Sequence, residues 1–204
     1  MICNLVFDMG EVLLRYEPYL SCLRYTGGDK AAARRLMDAV FLHPDWSRAD
    51  EGTLSLEDQI SNAMARLNPE EAAMVPGLLR DWYLDGLWPY PGAEECVEQL
   101  HREGWNLYIL SNAGLWFPDF QYKILALEHF RGVMYSAAEK MIKPDTAIYL
   151  RLCKKFGLLP QECLFIDDRA DNVAGAEAAG MTGYHFDGDH QKLKRFIDTL
   201  KKNP

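Results

Sequence analysis

The stretch Ile2-Cys3-Asn4-Leu5-Val6-Phe7-Asp8-Met9-Gly10-Glu11-Val12-Leu13 begins with a short apolar run that stops on an acid. A run this short and this apolar suits a strand buried on both faces, as in a parallel sheet covered by helices. Three further runs repeat the pattern. Leu107 to Leu110 meets Ser111 and Asn112, Val133 to Tyr135 meets Ser136, and Cys163 to Ile166 meets Asp167 and Asp168. The intervening segments carry helical periodicity. Ala93, Cys96, Val97 and Leu100 precede Gly104; Ile148, Tyr149, Leu152 and Phe156 precede Gly157; the Ala-rich stretch Val173 to Ala179 precedes Gly180. A weaker strand over Thr182 to Phe186 and a basic helix from about Gln191 to Lys201 complete the series. Strand and helix thus alternate from Pro91 onward, which predicts an α/β fold with a doubly wound, mainly parallel, Rossmann-like sheet.

Residues 16–89 break that rhythm. They show no convincing strand, but helical stretches over Lys30 to Val40, Leu56 to Leu67 and Pro69 to Leu84, punctuated by Asn68-Pro69, Pro76-Gly77 and Pro89-Tyr90-Pro91-Gly92. Thr53 or Ser55 is expected to cap the helix that carries Glu57 and Asp58 in its first turn. The expected organisation is a core of residues 1–15 and 90–204, interrupted by an all-helical cap over 16–89 and hinged near 15–17 and 88–92.

Composition narrows the function. The chain has 204 residues, 49% hydrophobic and 25% charged, with 30 acids against 22 Lys and Arg for a net charge of −8. Such a balance argues against nucleic acid as a partner, which needs a basic footprint. Five dispersed cysteines without a C-x-x-C pair read as buried thiols in a reducing compartment. The start lacks a basic segment and is not expected to be a signal peptide, and no apolar run approaches the roughly 20 residues that span a bilayer. A cytoplasmic protein without a membrane partner is expected, as a monomer or a homodimer. No G-x-S-x-G, G-x-G-x-x-G or Walker-type loop is present, which removes serine-hydrolase, dinucleotide and P-loop chemistry.

In open α/β sheets ligands bind outside the carboxyl ends of the strands. Asp8, Ser111, Asn112, Asp167 and Asp168 fall at those ends, and Lys143 lies in the connection after the third run. Three carboxylates, one ammonium and a hydroxyl-amide pair suit a Mg²⁺ ion and a phosphate, because Mg²⁺ takes hard oxygens from one or two carboxylates together with phosphate. An aspartate can also attack phosphorus and form an aspartyl-phosphate.

Phe7-Asp8-Met9-Gly10-Glu11-Val12-Leu13, Leu110-Ser111-Asn112-Ala113, Lys143-Pro144-Asp145 and Phe165-Ile166-Asp167-Asp168-Arg169-Ala170-Asp171-Asn172 resemble, in order, the four motifs of the haloacid dehalogenase-like hydrolases. The resemblance covers essentially the whole chain, since the stretch 16–89 is similar to the helical cap of one subgroup. It is greatest to the sugar-phosphate phosphatases and the phosphatase domains of epoxide hydrolases. The resemblance implies Asp8 as nucleophile and metal ligand, the Gly10 carbonyl as a metal ligand, Ser111 and Asn112 as holders of the phosphoryl group, and Lys143 as the balancing charge. It implies Asp168 as a direct Mg²⁺ ligand, Asp167 as an acid farther from the metal, and Asn172 as a support for their loop. The expected substrate is a small phosphorylated metabolite such as a sugar phosphate.

One departure stands out. The family's first motif usually carries a second aspartate two residues after the nucleophile, serving as general acid and base; this chain has Gly10 there. Water, Glu11 or a cap residue would have to replace it, or the leaving group would need little protonation. A haloacid dehalogenase acting at carbon without metal, and a phosphate- and Mg-binding protein of reduced turnover, remain as alternatives. Outside the motifs, Glu11 reads as a loop residue, Asp171 as a helix N-cap or surface acid, and Arg169 as solvated. Trp46, Trp82, Tyr83, Trp88 and Tyr90 read chiefly as packing, Arg15, Tyr16 and Arg48 chiefly as structural, and the five histidines show no evident cluster.

Overall fold

The computed structural model describes residues 1–201. Seven strands form: β1 (Asn4–Phe7), β2 (Leu14–Tyr16), β3 (Leu87–Pro89), β4 (Asn106–Ser111), β5 (Phe130–Tyr135), β6 (Cys163–Asp167) and β7 (Thr182–His185). Five of them make one sheet in the order β5-β4-β1-β6-β7 with every pairing parallel. The chain builds outward from β1 through β4 to β5, then returns to the other side of β1 for β6 and β7. The reversal makes a crevice at the carboxyl ends of β1, β4 and β6.

Alternation along the central strands decides which face each residue covers. Leu5, Phe7, Leu107, Ile109, Leu164 and Ile166 belong to one apolar cluster, and Val6, Tyr108, Leu110 and Phe165 to the other. On the first face lie α8 (Ala93–Arg102) and α13 (His190–Lys201); on the second lie α11 (Thr146–Phe156) and α12 (Ala170–Ala178), while the one-turn helices α9 (Phe117–Phe120) and α10 (Ser136–Glu139) follow β4 and β5. Local chemistry sets the helix ends. Asp145 accepts from the Ala147 N–H at 2.9 Å to start α11, and Gly157, at φ 68°, ends it. One close approach aligns the site. A Cβ on Gly175 would lie 2.3 Å from the Pro144 carbonyl oxygen, so α12 packs directly on the Lys143-Pro144 turn and only glycine fits there.

Between β2 and β3 the chain is helical: α1 (Pro18–Tyr25), α2 (Lys30–Val40), α3 (Pro44–Asp50), α4 (Leu56–Met64), α5 (Pro69–Ala72), α6 (Val75–Asp81) and α7 (Tyr83–Gly86). Helix α2 has the expected bounds, and Ser55 rather than Thr53 caps α4, accepting from the Asp58 N–H at 3.0 Å. Two expectations are corrected. The stretch 69–84 is three short helices instead of one: Pro76 has no N–H for the Ala72 carbonyl, which separates α5 from α6, and a turn at Trp82 separates α6 from α7. The stretch 16–89 is also not free of strand: β2 and β3 pair antiparallel, Leu14 opposite Pro89 and Tyr16 opposite Leu87. Three-residue strands containing Arg15, Trp88 and Pro89 carry too little alternation to be read. Among the described residues no helix is long and apolar enough to cross a membrane. Cys3 is exposed, unlike the other four cysteines, which are buried as expected.

Candidate active site

The carboxyl ends of β1 and β6 and the turn before α11 converge on a buried ion cluster. Asp8 follows β1, and its N–H donates to the Ile166 carbonyl at 2.8 Å. Lys143 Nζ lies 2.8 Å from Asp8 Oδ1 and 2.7 Å from Asp167 Oδ2. Asp167 is 0% exposed, Lys143 3% and Asp8 7%, so the three charges are withdrawn from water together. One ammonium cannot neutralise two carboxylates. Burial pushes the Asp8 carboxyl up to about 7; Lys143 pulls it down and Asp167 raises it again. Burial works against the Lys143 ammonium, but Asp8 and Asp167 outweigh it and hold Lys143 above its usual value. The half-buried Asp168 is raised by burial and by Asp167.

Asp8, Asp167 and Asp168 each bring a carboxylate oxygen within 4.8 Å of the others. Three hard oxygens at one spot, with only one ammonium against them, fit a divalent cation of the Mg²⁺ kind. They differ in free capacity. Asp167 accepts from Lys143, from the Arg169 N–H at 2.8 Å, and from Asn172 Nδ2 at 3.1 Å on both oxygens. Most of its lone pairs are taken, which leaves Asp8 and Asp168 the more open ligands. Asn172 is fixed in turn by Tyr149, whose hydroxyl donates to the Asn172 carbonyl at 2.7 Å.

The loop after β1 is a tight turn in which the Leu13 and Leu14 N–H groups both donate to the Met9 carbonyl. Glu11 sits at φ 52° and is tied down, accepting from the Tyr16 N–H and from Arg15, each at 2.7 Å. It is the loop residue expected and has no free oxygen aimed at a proton-transfer role. Gly10 lines the crevice beside Asp8, and a Cβ there would meet nothing within 4 Å. Ser111 is buried, with a single weak contact of 3.4 Å from its hydroxyl to the Asn112 carbonyl. The Asn112 side chain instead grips the Lys143 backbone, donating to its carbonyl at 3.0 Å and accepting from its N–H at 2.9 Å. This two-point latch presents Lys143 to the carboxylates.

The neighbouring residues mostly fall as expected. Of its two readings Asp171 takes that of a surface acid, not the N-cap: it is exposed in the first turn of α12 and pairs with the exposed Arg169. Arg48 and Arg66 serve the buried Asp45 of α3. The histidines do include a pair: His101 and His129 stack with centroids 4.1 Å apart, remote in sequence and so not legible from spacing.

The cluster opens into a cavity of about 590 Å³ whose far wall is aromatic. Trp46, Trp82, Trp116, Phe41, Phe120 and Tyr16 line it, with Trp82 as the hub. Trp82 is 3% exposed and its Nε1 has no hydrogen-bond partner among the described residues. Sequence reasoning singled out Trp46, Trp82 and Tyr16 without placing them here, and missed Phe41, Trp116 and Phe120.

It also missed Asp50. This acid ends α3, borders the cavity and is 8% exposed. No basic side chain pairs with it among the described residues; its carboxyl accepts from the Gly114 N–H. Burial pushes its carboxyl up to about 8. A carboxyl raised in the folded state stabilises the fold fully below its unfolded value, near 3.9, and that contribution is lost as pH rises to about 8. Asp50→Asn, neutral throughout, is therefore expected to gain in unfolding midpoint over the wild type as pH goes from 6 to 9. A constant difference across that range would contradict the burial of an unpaired acid.

The fold and this site define a hydrolase in which an aspartate at the end of the first strand faces a lysine and two further acids. Comparison with known proteins agrees. Residues 4–180 match the family model of the haloacid dehalogenase-like hydrolases, and the chain belongs to that family. It is 27% identical over 190 residues to a sesquiterpene phosphatase of Aspergillus oryzae, covering 89% of this chain and 88% of the relative. It is 28% identical over 197 residues to a flavin mononucleotide hydrolase of Arabidopsis thaliana, covering 95% of this chain and 76% of the relative. A solved HAD-like hydrolase from Porphyromonas gingivalis superposes with a TM-score of 0.71 over 98% of both chains at 25% identity. Within the family this chain stands with the phosphatases.

Proposed function

We propose that the protein is a Mg²⁺-dependent phosphatase that cleaves a small phosphorylated metabolite through an aspartyl-phosphate on Asp8. The observation that carries this reading is the Asp8–Lys143–Asp167 cluster with Asp168 beside it, bordering the aromatic-lined cavity. Asp8, Asp168 and the Gly10 carbonyl would hold Mg²⁺, which when bound supplies positive charge to the phosphoryl oxygens and keeps Asp8 ionised. Asp8 is the nucleophile: its oxygen forms a bond to phosphorus as the substrate alcohol leaves, and water then displaces Asp8. Lys143 and the Ser111 hydroxyl neutralise and hold the phosphoryl group while two anions approach each other. Helices α1 to α7 form the cap over the site, and the β2–β3 pair is its hinge.

The lining shifts the substrate from the expected sugar phosphate toward a monophosphate whose alcohol portion is apolar or aromatic. Six aromatic side chains on one wall offer area for burial, at about 25 cal/mol per Å² of apolar surface, and few partners for a row of hydroxyls. The names of the two relatives, a sesquiterpene phosphatase and a flavin mononucleotide hydrolase, point the same way. With Mg²⁺ the purified protein is expected to hydrolyse naphthyl phosphate with kcat/KM at least about tenfold above glucose 6-phosphate, and chelator is expected to abolish both activities. Activity that survives the chelator would reject the metal; a preference for the sugar phosphate would reject the apolar leaving group.

A further inference from the structure

The substrate alcohol departs with a developing negative charge on its oxygen, and an alkyl alkoxide needs a proton at that moment. Four acids border the cavity: Asp8, Glu11, Asp50 and Asp168. Asp8 is bound to Lys143 and is the proposed nucleophile, Asp168 belongs to the metal trio, and Glu11 is tied to Arg15 and to the Tyr16 N–H. Asp50 alone has neither a cationic partner nor an assigned role among the described residues.

Its position is also fixed. The Ser136 hydroxyl donates to the Asp50 carbonyl, and the Gly114 N–H donates to its carboxyl. Two residues on, Gly52 comes so near that a Cβ would lie 2.4 Å from the Ala137 carbonyl oxygen. The end of α3 is thus docked on the segment that follows β5 and on the loop that follows β4. That docking sets the acid on the cavity wall, and Asp50 is near enough to Tyr16 for its charge to raise the buried Tyr16 hydroxyl's pKa further. Beside Gly10 the space is open.

We propose that Asp50 is the general acid and base of this site, supplied by α3 instead of the loop that carries the nucleophile. The inference rests on the phosphatase reading. In the first step the Asp8 oxygen bonds to phosphorus, the bond from phosphorus to the substrate oxygen breaks, and the Asp50 proton passes to that oxygen, so the alcohol leaves neutral. In the second step a water oxygen bonds to phosphorus, the bond to Asp8 breaks, and a water proton returns to the Asp50 carboxylate. Asp50 ends protonated, as it began. Its burial, which keeps the proton on at neutral pH, suits the first step.

The test is the dependence of kcat/KM on the leaving alcohol, measured with p-nitrophenyl, phenyl and n-hexyl phosphates in Mg²⁺. The wild type is expected to show a shallow dependence. Asp50→Asn is expected to lose about 10²- to 10⁴-fold on n-hexyl phosphate and at least about tenfold less than that on p-nitrophenyl phosphate, whose leaving group needs little protonation. An equal loss on all three would make Asp50 a positioning residue and overturn the proposal, as would hexyl phosphate turnover within about threefold of the wild type. Should the variant fail to fold, the wild-type series still decides, because a steep dependence there excludes any general acid. A wild type that releases phosphate from none of the three in Mg²⁺ would instead overturn the phosphatase reading, and this proposal with it.

Discussion

Asp8→Asn is expected to reduce phosphate release from p-nitrophenyl phosphate by on the order of 10⁴- to 10⁶-fold, the scale at which enzymes lose activity with their nucleophile. The amide has the shape of the carboxyl group but no anionic oxygen to attack phosphorus. Misfolding would not explain the loss. With its carboxyl pushed up to about 7 by burial, Asp8 is neutral below that pH, and Asn reproduces that neutral form. Lys143 keeps Asp167 at 2.7 Å as a partner. The variant should therefore match the wild type in stability near pH 4 and gain on it in metal-free buffer as pH rises to about 7, because the unfolded wild-type carboxyl ionises from near 3.9 while the folded one keeps its proton to about 7; above that the difference stays constant. A stable Asp8→Asn protein with wild-type turnover would sink the aspartyl-phosphate mechanism.

Lys143→Met acts on stability and on activity together. The side chain of Lys143 is 1% exposed, and Met fills similar volume without the charge. Removing one partner from a buried ion cluster leaves the others uncompensated, at roughly 3–5 kcal/mol. Here two carboxylates lose the same cation, and Asp8, already pushed up to about 7 by burial, loses the charge that pulls it down, so its folded-state value rises. A carboxyl raised in the folded state stabilises below its unfolded value, near 3.9, and loses that contribution as pH climbs. The penalty from Lys143→Met should accordingly be largest at pH 8 and smaller at pH 5, measured as denaturant midpoints in metal-free buffer. Phosphate release should fall as well, since nothing else in the cluster offsets the two anions that must meet. A penalty that does not change with pH would mean that Lys143 acts by packing alone.

Much of the fold was legible because the sequence obeys one rule at each strand. β1, β4 and β6 are covered on both faces, hence apolar once past the Asn4 and Asn106 that open the first two, and they stop where the crevice begins, hence on Asp8, Ser111 and Asp167. The acids and Lys143 could be picked out for the same reason: each sits at a strand end or on a turn with a recognisable boundary. Residues whose position depends on contacts across the fold were not legible. Asp50 lies at the end of a seven-residue helix with nothing in its neighbours to mark it, and becomes unusual only where the Gly114 N–H meets it on the cavity wall. Trp116 and Phe120 look like any aromatic loop until they join Trp46 and Trp82. Asn112 shows the intermediate case. Its place was readable; its latch on the Lys143 backbone, 31 residues away, was not.

The β2–β3 pair brings the entry and exit of the helical segment to about 4.8 Å of each other, one strand spacing. Seen as a path, residues 18–86 are a detour whose two ends nearly touch, so insertion or exchange of such a segment leaves the geometry of the sheet unaffected. The packing tells otherwise. Leu36, Val75, Leu78 and Trp82 from the detour share one apolar cluster with Leu5, Phe7 and Ile166 from the sheet. Excision would take those four side chains out of the shared cluster and open the part of it that they fill. The segment is exchangeable in its connectivity yet inseparable in its energetics: whatever replaces it has to bring its own greasy face, and in doing so would also rebuild the wall that meets the substrate.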